Sequence, residues 1–251
     1  MSRKPRVSTV TPIEPALEIE NVNAIEWRES ADVVVVGWGA AGACAALEAR
    51  AHGATVVLID RFQGGGASAL SGGVVYAGGG TSYQLQAGFQ YSPEAMAAYL
   101  KHEVNGVVSD QTLMKFCQDS VANLAWLEMH GAKFAASMPD HKTSYPPEGK
   151  FLYFSGNEVV PACQTPEGPP APRGHRTVAR GQSGKVLFEA LQSATLKSGA
   201  HTVTQATVRR LVCERASPDQ PGRIVGVEVW QLPAGAPETQ RHAELHKKVA
   251  R

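Results

Sequence analysis

Residues 32–60 read DVVVVGWGAAGACAALEARAHGATVVLID, and the order of residue types along this stretch decides the fold. Four valines, Val33 to Val36, follow Asp32 as a β-branched run, which predicts a strand buried on both faces, as strands of a parallel sheet are. Gly37, Gly39 and Gly42 come next. Ala43 to His52 is then rich in small residues and good helix formers, with Gly53 where a helix-ending glycine belongs. Thr55 to Ile59 predicts a second buried strand that ends at Asp60. The stretch is therefore a complete strand, turn, helix, strand unit of an α/β protein.

Each glycine has a physical task in such a unit. Gly37 permits the tight turn out of the strand, Gly39 lets the backbone approach a pyrophosphate, and Gly42 lets the helix lie close to the sheet. Phosphates placed there meet the positive end of the helix, where the first N–H groups lack partners within it. Asp60 stands 18 residues beyond Gly42, placed to accept hydrogen bonds from the ribose hydroxyls of an adenosine. A carboxylate at that point also repels a 2′-phosphate, which makes NADP the least suited dinucleotide.

The remaining composition narrows the class. At roughly 150 residues per domain, 251 residues allow one large domain or two small ones. With 24 Lys+Arg against 23 Asp+Glu, the chain lacks the basic surplus of a protein that binds nucleic acid by counterion release. Cys44, Cys117, Cys163 and Cys213 are far apart and form no C-x-x-C pair, which fits a reducing compartment and implies no metal site. Residues 1–30 form a polar leader without a signal-peptide core. Val33 to Leu47, the longest apolar stretch, is too short to span a membrane, so a cytoplasmic location is expected.

A second glycine cluster, GGGASALSGGVVYAGGGT at residues 64–81, separates FAD from NAD. An NAD-binding chain would usually pass from the second strand straight into another helix. Here a loop of glycine and serine follows instead, able to fold closely around an extended ligand. Leu70, Val74, Val75 and Tyr76 interleave with the glycines, unlike a flexible linker.

In order and spacing, these two segments resemble the FAD-binding half of the fumarate reductase and 3-ketosteroid dehydrogenase superfamily of flavoproteins. The resemblance implies a Rossmann-like FAD-binding domain over residues 31–251, a parallel sheet with helices and a β-meander, incomplete at its C-terminus. It places Gly37, Gly39, Ala40, Ala41 and Gly42 at the pyrophosphate and Asp60 and Arg61 at the adenosine end. Ser68, Ser71, Gly72 and Gly73 fall near the pyrophosphate and isoalloxazine, and the backbone of Val208 at the adenine. Family members that bond the flavin covalently carry a histidine in the glycine loop. No histidine falls between residues 53 and 101 here, so a non-covalent FAD is implied.

The rest of the chain is read as supporting structure. Ser92-Pro93-Glu94 starts a helix running to about Gly106, and Ser109 or Asp110 starts another that ends at Gly131. The segment from Ser137 to Pro172 carries eight of the 16 prolines and predicts an ordered excursion without regular helix. Ser183 to about Lys197 predicts a helix closed by Gly199, and Thr202–Thr204, Ala206–Cys213 and Ile224–Leu232 predict strands. The Y-x-S-G-N-E stretch at residues 153–158 and A-P-R-G-H at residues 171–175 resemble flavoproteins that desaturate 3-keto-5α-steroids between C4 and C5. What this implies is proton removal beside the ketone, hydride transfer to flavin N5, a steroid-like substrate and a separate electron acceptor. Tyr145 and Tyr153 are candidate pocket residues without an assigned catalytic role. Arg173, His175 and Arg176 are available for the arginine and histidine chemistry of the fumarate-reducing relatives. The resemblance also places the start of a further parallel strand at Ala243 to Arg251 and the substrate domain outside the chain.

Overall fold

A computed structural model describes residues 14–164, 170–217 and 219–249. The first part of the leader, residues 165–169 of the excursion and the last two residues lie outside the described residues. Along the chain run β1 (Leu17–Ile19), β2 (Val33–Val36), α1 (Ala40–Ala51), β3 (Val56–Ile59), α2 (Gly66–Leu70), β4 (Val74–Tyr76) and α3 (Ser82–Gln86). They are followed by α4 (Pro93–Val104), α5 (Asp110–Met129), β5 (Leu152–Tyr153), β6 (Gly174–Arg176), α6 (Gly184–Lys197), β7 (His201–Val203), β8 (Ala206–Glu214), β9 (Arg223–Gln231) and α7 (Pro237–Val249).

Among the described residues the strands form three sheets of three. One is parallel, in the order β2-β3-β7, with Val33 opposite Val56 and Val57 opposite His201. Helices α1 and α6 cover one face of it, and Val35, Trp38, Ala46, Leu47, Leu58 and Leu191 form the core between them. The prediction that the first strand is buried on both faces is corrected here. Val35 is buried against the helices, but Val34 and Val36 on the other face are 41% and 56% exposed. That face is only partly roofed, by β9 and by Val22 and Trp27 of the leader, which leave a cavity of about 360 Å³.

The predicted meander also divides differently. Residues 201–203 join the parallel sheet beside β3, while β8 and β9 pair antiparallel as a hairpin. The hairpin's third strand comes from the leader, where β1 lies parallel to β8 with Leu17 opposite Val212. The third sheet, β4-β6-β5, is antiparallel and carries residues 174–176 between two neighbours. The C-terminal segment, expected to open a strand, is the helix α7, whose Thr239, His242, Ala243 and His246 form its half-buried stripe. Among the described residues no helix is long and apolar enough to cross a membrane, and no group of His, Cys, Asp and Glu is arranged to hold a metal ion.

Candidate functional site

The turn leaving β2 is built as its glycines require. Gly37 has φ +95°, a left-handed conformation that side chains resist, and its N–H donates to the Ile59 carbonyl at 2.8 Å. Gly39 caps α1 with no side-chain hydrogen bond, so the helix starts three residues earlier than predicted, on the turn itself. A Cβ at Gly42 would overlap the Gly37 carbonyl oxygen and lie 3.3 Å from Val35 Cγ1, so this glycine is what permits helix and strand to touch. A Cβ at Gly39 would meet only Ser68 Oγ at 3.5 Å and Gly65 O at 3.8 Å. The space in front of Gly39 is thus bounded by a hydroxyl and a carbonyl, and it faces the positive end of the helix. Ala40 donates its N–H to Ser68 Oγ at 3.0 Å, and Ala41 follows in the first turn.

Asp60, at the end of β3, lies beside this turn. Its Oδ2 accepts the Trp38 N–H at 2.7 Å, and its Oδ1 accepts those of Phe62 at 2.7 Å and Gly64 at 3.4 Å. A carboxylate offers about four acceptor positions, so main-chain amides orient this one and still leave it a position for a hydroxyl. Arg61 is exposed, with its guanidinium 4.8 Å from the Phe62 ring centroid. Val208 is half-buried on β8 opposite Val229, just before an irregularity in the strand pairing.

The serine-glycine segment folds back over the turn. Ser71 Oγ donates to Ser68 O at 2.8 Å and accepts the Gly73 N–H at 3.1 Å. These glycines also accommodate protein: a Cβ on Gly73 would lie 2.5 Å from Gly184 N, and one on Gly72 would lie 2.7 Å from Tyr145 Cε2. The Tyr145 hydroxyl donates to Gly72 O at 2.8 Å, so the proline-rich excursion is fastened to the loop. Tyr153 is buried, and burial raises its phenol above the ordinary range.

Residues 173–176, read as loop from the sequence, are a buried strand and its approach. Arg173 is fully buried, 3.1 Å from Glu158 Oε1, donating to Tyr91 Oη at 3.1 Å and lying 3.5 Å from the Tyr99 ring centroid. Desolvation raises the phenols of Tyr76, Tyr91 and Tyr99, against the pull of the nearby Arg173 charge. His175 bonds to Thr81 Oγ1 at 2.9 Å and to the Arg173 carbonyl at 3.1 Å, and burial lowers it from its ordinary 6.5 to about 4. Thr81 Oγ1 already accepts the Gln84 N–H, so its proton goes to His175 Nε2, and Nδ1 carries the imidazole proton to the carbonyl. Arg176 donates to Ser183 Oγ and to the carbonyls of Pro146, Pro147, Ala179 and Gly181. The structure therefore brings the glycine turn after β2, Asp60 and the serine-glycine loop together, while Arg173, His175 and Arg176 hold the scaffold. Sequence reasoning missed the aromatic cage around Arg173, whose members lie too far apart in the chain to leave a local pattern.

Comparison with known proteins identifies the family and the fold. The family profile described as FAD binding domain matches residues 32–250. The 3-oxo-5-alpha-steroid 4-dehydrogenase of Comamonas testosteroni is 56% identical over 250 residues, 99% of this chain and 46% of that protein. The crystal structure of 3-ketosteroid-delta4-(5alpha)-dehydrogenase from Rhodococcus jostii RHA1 in complex with 4-androstene-3,17-dione superposes with a TM-score of 0.77 at 32% identity, covering 87% of this chain and 45% of that one. A flavocytochrome c3 fumarate reductase in an open conformation shares the fold, with a TM-score of 0.59 at 23% identity, over 87% of this chain and 30% of that one. The chain thus spans about half the length of the first two proteins it matches.

Proposed function

The chain belongs to the family of FAD-binding domains, and on that premise we propose that it forms the FAD-binding part of a dehydrogenase that desaturates 3-keto-5α-steroids between C4 and C5. The observation that carries the cofactor half of this reading is the glycine turn at the start of α1, where Gly39 leaves room for a close approach beside the Ser68 hydroxyl and Asp60 holds the Trp38 N–H of the same turn. The 56% identity to the Comamonas enzyme carries the substrate half.

In this reading Gly37, Gly39, Ala40, Ala41 and Gly42 surround the pyrophosphate, and Asp60 accepts from the ribose, with Arg61 and Val208 at the adenosine end. Ser68, Ser71, Gly72 and Gly73 line the path to the isoalloxazine. Bound FAD would supply the acceptor for a hydride from the steroid while a base takes the proton beside the ketone. With no histidine between residues 53 and 101, the cofactor is held without a covalent bond.

The burial of Arg173, His175 and Arg176 favours the steroid reading over reduction of a small dicarboxylate. A fumarate-type site needs such groups facing the substrate, whereas here Arg173 faces Glu158 and Tyr91, His175 is held uncharged against Thr81 and the Arg173 carbonyl, and Arg176 faces main-chain carbonyls. Four unpaired cysteines suit a reducing cytoplasm, and electrons leaving the flavin would pass to a separate acceptor. The test is to purify the intact protein, release its flavin by acid, and mix the loaded form anaerobically with a 3-keto-5α-steroid. Bleaching of the flavin and reoxidation by an artificial acceptor are expected; a loaded protein inert to every 3-ketosteroid would overturn the proposal.

A further inference from the structure

Helix α7 is unusual for a surface helix because imidazoles occupy the stripe it turns inward. Thr239, His242, Ala243 and His246 recur at helical spacing and are half-buried, where an ordinary amphipathic helix would carry leucine or valine. Both histidine rings lie nearly parallel to Phe62, His242 with its centroid 5.2 Å away at 15° and His246 at 4.2 Å and 13°. Gln205 ties the same helix to the start of β8, its Nε2 donating to Thr239 O at 2.7 Å, while its own N–H donates to the Phe62 carbonyl at 2.9 Å. Phe62 in turn donates its N–H to Asp60 Oδ1 at 2.7 Å, and Asp60 O accepts from Ala206, two residues before Val208. An unbroken chain of contacts therefore runs from α7 through the Phe62 ring and backbone to the carboxylate placed to receive the ribose.

We propose that α7 is a positioning element of the adenosine end, in which His242 and His246 clamp Phe62 by ring stacking and so fix the Asp60 turn for the nucleotide. This rests on the FAD-binding reading. The two histidines act through Phe62, the ring that both stack on. The surfaces that stack are flat and polarisable, which explains imidazole in place of an aliphatic side chain.

The experiment compares the intact protein, stripped of flavin and rebound, with His242→Ala/His246→Ala, the two single alanine variants, and His242→Phe/His246→Phe. Dissociation constants are measured for FAD by flavin fluorescence and for ADP by calorimetry. Loss of the clamp lets the Asp60 turn sample conformations that do not bind, so the double alanine variant should bind FAD and ADP about tenfold more weakly, by the same factor. Each single variant should lose part of this, and the phenylalanine variant should recover it. Affinities unchanged in the alanine variants would overturn the inference, as would a loss for FAD without a loss for ADP, or a phenylalanine variant as weak as alanine. Should the double variant fail to fold, the single variants carry the comparison. Failure of the unaltered protein to bind FAD would count against the FAD-binding reading itself, an outcome distinguishable from all of these.

Discussion

Substituting alanine at Gly39 and at Gly42 tests the phosphate turn, because the structure predicts opposite failures from the same added methyl. At Gly42 the new Cβ overlaps the Gly37 carbonyl oxygen and stands 3.1 Å from its carbon. Backbone cannot move aside as a flexible side chain can, so α1 must lift from the sheet. Overpacking of this kind costs about 1–3 kcal/mol, and it falls where Ala43, Ala46 and Leu47 form the core. At Gly39 the φ is −92°, ordinary for alanine, and the nearest atom is 3.5 Å away. Removing a glycine from the unfolded chain gains about 0.4–1 kcal/mol, and the poorer alanine cap offsets a similar amount, so the folded stability should hardly change. The methyl instead occupies the space through which a pyrophosphate would approach the helix. Gly39→Ala should therefore lower FAD affinity at least tenfold, about 1.4 kcal/mol, with a urea midpoint like that of the unaltered protein. Gly42→Ala should lower the midpoint first. Equilibrium titration with FAD and urea unfolding of the apoprotein separate the two, and Gly39→Ala binding FAD as tightly as the parent would refute the assignment of this turn to the phosphates.

Three further outcomes are expected. Glu158→Ala strands the buried Arg173 charge and should cost about 3–5 kcal/mol in urea unfolding, while Glu158→Leu with Arg173→Met should recover most of it. His175 titrates near 4 when folded and near its ordinary 6.5 when unfolded, so between these values the unfolded chain holds a proton that the folded one lacks. Its contribution is therefore harmless above pH 6.5 and removes up to about 3 kcal/mol of stability as pH falls towards 4; His175→Gln should flatten that slope in unfolding measured at pH 7 and pH 5. Arg176→Lys replaces a guanidinium fork reaching five carbonyls by a single ammonium. Trypsin should then cut faster at Lys142 and Lys150, and an unchanged digestion rate would show that the excursion is held by something else.

What could be read from the sequence was local. The β2 to β3 unit follows from a valine run, three glycines and an acid, all within 29 consecutive residues. Ser92 and Ser109 do cap α4 and α5, each accepting the N–H three residues on, because a cap is chemistry within one turn. The larger failures are non-local. Leu17–Ile19 becomes a strand only because Val212 to Glu214 offer an edge nearly two hundred residues later. Gly174–Arg176 follows a proline-rich stretch and is a strand only because β4 and β5 flank it. Helix α7 carries histidines where an apolar stripe would have announced it, and its partner is a phenylalanine in the turn after β3.

The same distinction explains why the candidate site was legible by position and not by support. Glycine and serine at residues 64–73 suggested ligand contact alone, yet several of these small residues answer to protein neighbours. Gly72 gives room to the Tyr145 ring, and Gly73 to the Ser183–Gly184 backbone. Tyr145 and Ser183 both reach the Gly72 carbonyl, and Arg176 holds Ser183 together with the excursion that bears Tyr145. The proline-rich segment is therefore no decoration on the cofactor domain. It is tied to the serine-glycine loop through Tyr145, Ser183 and Arg176, so on the proposed FAD-binding reading a change at Arg176 should loosen the Gly72 segment and alter the fluorescence of bound flavin.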